Sequence, residues 1–279
     1  MAVILLTAIT LIAFAANSVL CRIALRGELI DPISFTTIRL VAAALVLPVI
    51  SWLSKEPDMA IGRKSWRSGL ALFAYAITFS LAYISLSAGT GALLLFGAVQ
   101  LTMLGAAIRN GERLNLGQCT GLAIAVAGLL YLLLPGASTP NPLGASLMIL
   151  AGIAWGIYSI FGKGVSAPIA MTTRNFLWAA PMGLAISCLT LSRASFEARG
   201  VMLATVSGVF TSGMGYVVWY KVLPKLTTAQ AAMLQLLVPP LATFGGIVFI
   251  AEQLTTRIVV SSSLILGGVG YAVLKKAKQ

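Results

Sequence analysis

Tyr75, Phe79 and Tyr83 follow one another at intervals of four, which puts three aromatic rings on one stripe of a helix. Ser212, Tyr216, Trp219 and Tyr220 share a helical face farther along the chain. Two such stripes turned toward each other could stack a flat apolar group, with tyrosine hydroxyls left to bond a polar one. Ordinary packing or lipid contact would use the same rings. In "LQLLVPPLATFGG", Pro239 and Pro240 bring no N–H, so the carbonyls of Gln235 and Leu236 lose their helical partners beside an amide side chain. A broken apolar helix of this kind can offer a polar spot to a ligand, and either Gln235 or Gln100 could instead tie helices together. Asn17 and Tyr158 join the candidates, each followed by a serine, as do Trp155 and Trp178 inside long apolar runs. Arg39 and Arg174 fit carboxylate binding about as well as snorkelling to a headgroup layer.

Covalent chemistry finds few instruments here. The chain has no His. Its seven acids (Glu28, Asp31, Glu56, Asp58, Glu112, Glu197 and Glu252) sit in connectors or at the ends of apolar runs. No nucleophile–base pair is visible, so an enzyme is not expected. Cys21, Cys119 and Cys188 have no ligand-like spacing and read as small packing residues; neither a metal nor a cofactor is expected.

The elements that carry these residues follow from composition. Hydrophobic residues are 59% and charged residues 9% of 279, with mean hydropathy +0.97. Uncharged apolar stretches of roughly 20 residues cross a bilayer as helices. The fold class is therefore an all-α polytopic membrane protein, with ten transmembrane helices over about 2–24, 32–53, 66–87, 90–109, 115–134, 143–164, 169–191, 200–222, 227–250 and 256–275. No Lys or Arg precedes Arg22, so the run from Ala2 to Leu20 is expected to be the first span rather than a cleaved leader. A net charge of +12 does not make a nucleic-acid face, because the cations lie at span ends.

With the N-terminus inside, the inner side holds Lys55, Arg63, Lys64, Arg67, Arg109, Arg113, Lys163, Lys221, Lys225 and three tail lysines. Only Arg22, Arg26, Arg193, Arg199 and Arg257 fall outside. That imbalance puts both termini in the cytoplasm. Glu112 and Glu252 are expected to serve the N-terminal ends of the fifth and tenth helices.

One phrase occurs twice. "IAFAANSVLCR" (12–22) and "IAWGIYSIFGK" (153–163) each keep a serine and end on a cation. "PISFTTIR" (32–39) then matches "PIAMTTRN" (168–175), "GERL" (111–114) matches "AEQL" (251–254), and Tyr83 with Thr90 matches Tyr220 with Thr227. Four landmarks in one order divide the chain into halves of five helices, 1–138 and 139–279. Five being odd, the halves insert in opposite senses, as in transporters whose site lies at a repeat interface. Arg22 and Lys163 then end equivalent helices at opposite faces, where each could favour the helix dipole or act as a gate, with Pro239 and Pro240 as a hinge. A scaffold without transport would use the same bundle.

The repeated phrase ending in Lys or Arg, the Pro-x-x-x-Thr-Thr helix openings and the Glu after the fourth helix resemble the EamA family of the drug/metabolite transporter superfamily. In detail they are most similar to its YddG-type aromatic amino acid exporters. The first copy departs from many members in having Phe14-Ala15-Ala16-Asn17 in place of Trp-Gly. The resemblance implies a monomeric inner-membrane exporter of small amphipathic molecules, aromatic amino acids foremost, with other amino acids, purine-like metabolites or flat cationic drugs as alternatives. The lack of an acid within a span points to facilitated diffusion or exchange.

Overall fold

A computed structural model describes residues 2–54, 65–111, 115–133 and 140–276. Lys55, Arg63, Lys64, Arg113, Lys278 and the expected cap Glu112 lie outside them. Twelve α-helical segments follow in order: α1 (Ala2–Arg26), α2 (Pro32–Leu53), α3 (Ser65–Ala82), α4 (Ala88–Arg109), α5 (Leu116–Leu133) and α6 (Pro142–Phe161). After these come α7 (Pro168–Leu189), α8 (Ala198–Val206), α9 (Gly215–Val222), α10 (Thr228–Gln235), α11 (Val238–Ile250) and α12 (Thr256–Lys276). Among the described residues, six helical stretches are long and apolar enough to cross a membrane: α1, α2, α4, α6, Ala198–Lys225 and Thr228–Ile250.

Local chemistry sets the starts. Asp31 caps α2 by accepting from the Ile33 and Ser34 amides, with Pro32 in the first turn. Asn141 and Pro142 open α6 in the same way, and Thr227 with Gln230 forms a reciprocal capping box on α10. Ser87, not Thr90, caps α4, so the Thr90–Thr227 match seen in the sequence is three residues out of register with the caps themselves.

Two expected helices are irregular. Between α8 and α9 the chain winds as a π-helix over Ser207–Met214. Between α10 and α11 the Leu236 and Leu237 amides bond back only three residues, to Met233 and Leu234, and the prolines occupy the first turn of α11. The repeated phrase also ends differently in its two copies. Gly162 and Gly164, the latter at φ +81°, stop α6 before Lys163, whereas α1 meets no glycine until Gly27 and runs one turn past Arg22.

Packing is pairwise. α5 lies along α12, where a Cβ on Gly121 would run into the Gly268 carbonyl. α2 lies along α7; α6 packs on α3 and α4, while α1 packs on α11, the π-helix and α9. Cys21 is buried in this core, but Cys119 and Cys188 are exposed, so only the first is a packing residue.

Candidate functional site

The centre of the bundle is a cluster of rings. Trp155 of α6 lies with its centroid 4.6 Å from Tyr216 of α9, 5.0 Å from Tyr75 of α3 and 5.1 Å from Phe14 of α1. Phe176 of α7 stacks on Tyr216 at 5.8 Å, with planes 25° apart. Tyr216 donates its hydroxyl to Tyr75 Oη at 3.2 Å, so the two tyrosine stripes do meet across the bundle. All five rings are buried.

A polar knot adjoins the rings. Asn17 Nδ2 donates to Tyr75 Oη at 3.1 Å, and Asn17 Oδ1 accepts from Ser207 at 2.7 Å and Thr211 at 3.2 Å. Ser212 and Arg39 Nη1 reach the same oxygen at 3.5 Å. The wider π-helical turn brings residues 207, 211 and 212 onto one atom, a local irregularity of the kind often found at functional sites. Gly208 lets this turn lie on α2, since a Cβ there would run into the Arg39 carbonyl. Arg39 does not snorkel: its side chain is buried, with Cζ 5.5 Å from the Tyr75 centroid and 5.2 Å from Phe79.

The remaining sequence candidates scatter around this centre. Gln235 accepts from Trp155 Nε1 at 2.6 Å and is bonded through Nε2 to Ala231 and Met103, so it supports the wall behind Trp155. Gln100 faces away, toward Leu236, Gln118 and Gly121, around a space of about 10 Å³. Tyr158 stacks on Tyr220 at 5.0 Å, and Trp219 donates to Ser159 at 3.2 Å. Phe79 edges onto Tyr83, whose hydroxyl donates to the Ala88 carbonyl. Trp178 is half-buried against Gly69 of α3; two residues earlier, Phe176 takes the central place. Phe14 and Phe176 were not singled out as site residues, although the repeated phrase aligns Phe14 with Trp155. Pro239 is buried and Pro240 half-buried at the α10–α11 break. An apolar lateral cavity of about 470 Å³ between α1, α11 and the π-helix reaches the knot at Thr211.

At one end of the bundle Arg22 donates from Nη1 to the Tyr83 and Ile84 carbonyls, at 2.8 and 3.1 Å, and pairs through Nε with Glu252 at 3.3 Å. Glu252 also accepts from the Ala88 amide through both oxygens. It therefore serves the N-terminus of α4 rather than that of α12, because the left-handed turn at Ala251 carries it back toward α4. At the same end the α1–α2 and α7–α8 connectors join by a bridge between Ile30 and Phe196, with Asp31 accepting from the Ser195 amide. Burial pushes the Asp31 carboxyl up, but bonds from Ser34, Ser195 and Ile33 outweigh it and hold the group below its ordinary value. At the other end Lys163, exposed, donates to Thr228 Oγ1 at 2.5 Å.

The EamA-like transporter family matches residues 1–134 and again 142–274. The chain belongs to that family. It is a multi-pass membrane protein and a transporter, with a small molecule as cargo. An uncharacterized protein of Pseudomonas aeruginosa is 45% identical over 266 residues, covering 95% of this chain and 92% of its own. A probable terminal-alkyne amino-acid exporter of Streptantibioticus cattleyicolor is 22% identical, covering 94% and 90%. A probable amino-acid metabolite efflux pump of Salmonella typhimurium is 24% identical over 73% and 75%. A crystal structure superposes with TM-score 0.74 at 19% identity, covering 97% of this chain and 99% of that one, which speaks for the fold alone.

Proposed function

We propose that this transporter exports small amphipathic metabolites, aromatic amino acids foremost, across the inner membrane by alternating access between two inverted five-helix repeats, 1–138 and 139–279. The observation that carries the cargo is the convergence of Phe14, Tyr75, Trp155, Phe176 and Tyr216, from five helices, beside the Asn17 knot. Flat side chains stack on such rings, and a polar head group needs such a knot. The relatives named as amino-acid exporters agree with the class.

The repeat reading draws support from packing. If α8 through α9 count as one rod and α10 with α11 as another, exchanging the halves turns the α3–α6 contact into α9–α1, and α4–α6 into α11–α1. The α2–α7 and α5–α12 pairs map onto themselves. The family match likewise falls once on each half. Ten such rods, with the cation bias of the connectors, leave both termini in the cytoplasm.

In this state the rings close on one another and cargo enters only when one end opens. Arg22 with Glu252 closes the outer end and Lys163 with Thr228 the inner, Pro239 and Pro240 giving the α10–α11 break its freedom. No acid is buried within a span among the described residues, which favours facilitated diffusion or exchange over carboxylate-mediated proton coupling.

Counterflow in proteoliposomes with labelled amino acids tests the cargo. Phenylalanine, tyrosine and tryptophan should exchange at least tenfold faster than leucine, and Tyr216→Ala should remove most of that preference without impairing insertion. Equal rates for aromatic and aliphatic cargo would take the stacking argument away.

A further inference from the structure

Arg39 is the one charged side chain among the fully buried described residues. It is the eighth residue of α2, about 10 Å in from the start of that helix. A guanidinium keeps its charge at physiological pH, and a buried cation is strongly unfavourable unless an anion and several acceptors answer it. Arg22 shows what such answering looks like, with two carbonyls and the Glu252 carboxylate. Among the described residues, no carboxylate pairs with Arg39. Its Nη1 reaches Asn17 Oδ1 only at 3.5 Å, and that oxygen already accepts from Ser207 and Thr211. Its Nε is buried with no partner at all. The faces of Tyr75 and Phe79 supply the rest of its surroundings, and rings attract a cation without neutralising it.

Resting on the reading that cargo enters the ring cluster, we propose that Arg39 is the docking point for a carboxylate on the cargo. The unused edge of its fork suits a planar two-oxygen anion, which would bring the missing counter-charge while the apolar part of the molecule stacks against Tyr75, Trp155 and Tyr216. The second half offers no duplicate, because the position aligned with Arg39 is Asn175. The site is therefore charged at one side only, and it selects acids and zwitterions over amines of the same shape.

Titration of purified protein with two matched pairs separates this from the cargo reading: L-phenylalanine against 2-phenylethylamine, and L-leucine against 3-methylbutylamine. Wild type should bind phenylalanine at least tenfold tighter than phenylethylamine. Arg39→Gln should lose about tenfold for phenylalanine while phenylethylamine changes less than threefold, and Arg39→Lys should recover part of the loss. An amine that binds wild type as well as its acid would overturn the proposal, as would Arg39→Gln weakening acid and amine equally. If Arg39→Gln does not fold, the wild-type acid-to-amine ratio and the Lys variant still decide. A carboxylate preference kept equally by leucine and phenylalanine would uphold Arg39 and sink the aromatic reading. Failure of both amino acids to bind would sink both.

Discussion

The two halves place matching groups at the centre and use them differently. In the first, Asn17 of α1, Arg39 of α2 and Tyr75 of α3 are joined, and Ser207 and Thr211 close on the Asn17 oxygen. In the second, the aligned Tyr158 and Asn175 stand beside Tyr220 of α9, with Asn175 Nδ2 reaching the Tyr220 hydroxyl at 3.4 Å. Tyr158 Oη and Asn175 Oδ1 are buried there without partners. One centre is charged and draws its bonds onto Asn17 while Arg39 Nε goes unanswered; the other is neutral and under-bonded. Under the proposed function the labour is divided: Arg39 and Asn17 of the first half would take the polar head of the cargo, and Trp155, Phe176 and Tyr216 of the second add to the apolar wall.

Substitution within each centre should break this contrast most sharply. Asn17→Ala leaves the Ser207 hydroxyl and Arg39 short of an acceptor, while Thr211 keeps the Ser207 carbonyl, and should cost about 1–3 kcal/mol of stability. Tyr158→Phe removes a hydroxyl that bonds to nothing and should change stability by less than about 0.5 kcal/mol. Thermal unfolding of the purified variants compares them directly, and similar losses would erase the distinction.

The two ends give a second contrast of smaller size. Arg22→Ala removes an ion pair and two bonds to carbonyls, and should cost about 1–3 kcal/mol while exposing the Glu252 end to thiol reagents in an engineered-cysteine assay. Lys163→Ala removes the bond to the Thr228 hydroxyl and should raise labelling at the opposite end. Identical labelling patterns would mean that the two cations are not equivalent gates.

Asp31→Ala should have the smallest effect, about 0.5–1 kcal/mol, through its cap on α2 and its bond to Ser195. Because its carboxyl lies below the ordinary value when folded, its contribution is present above the unfolded value and fades as pH falls through the lowered one. Unfolding of wild type and Asp31→Ala should therefore converge in acid and separate near neutrality.

Much of this scaffold was legible in the sequence. Apolar run length located the helices, and the prolines announced the α10–α11 break, because both are local properties of the chain. The tyrosine stripes could be read from spacing, and Tyr75 does meet Tyr216. Arg39 could not be read in the same way. Its place near a helix opening fitted snorkelling and carboxylate binding equally, and it is the close approach of Gly208 to α2, with the Tyr75 and Phe79 rings, that encloses it. Trp178 and Phe176 differ by two residues on one helix, and periodicity alone did not say which would face the centre. Glu252 was assigned to its own neighbouring helix, since a carboxylate turned back toward α4 is a matter of tertiary geometry.

Alternating access is tested most directly by two distances in one protein. Spin labels at positions 84 and 254, one in each half, span the Arg22 end, and labels at 109 and 225, again one in each half, span the Lys163 end. Saturating phenylalanine should shift the populations in opposite senses, one distance lengthening as the other shortens. Both distances moving together, or neither moving while phenylalanine is bound, would contradict it.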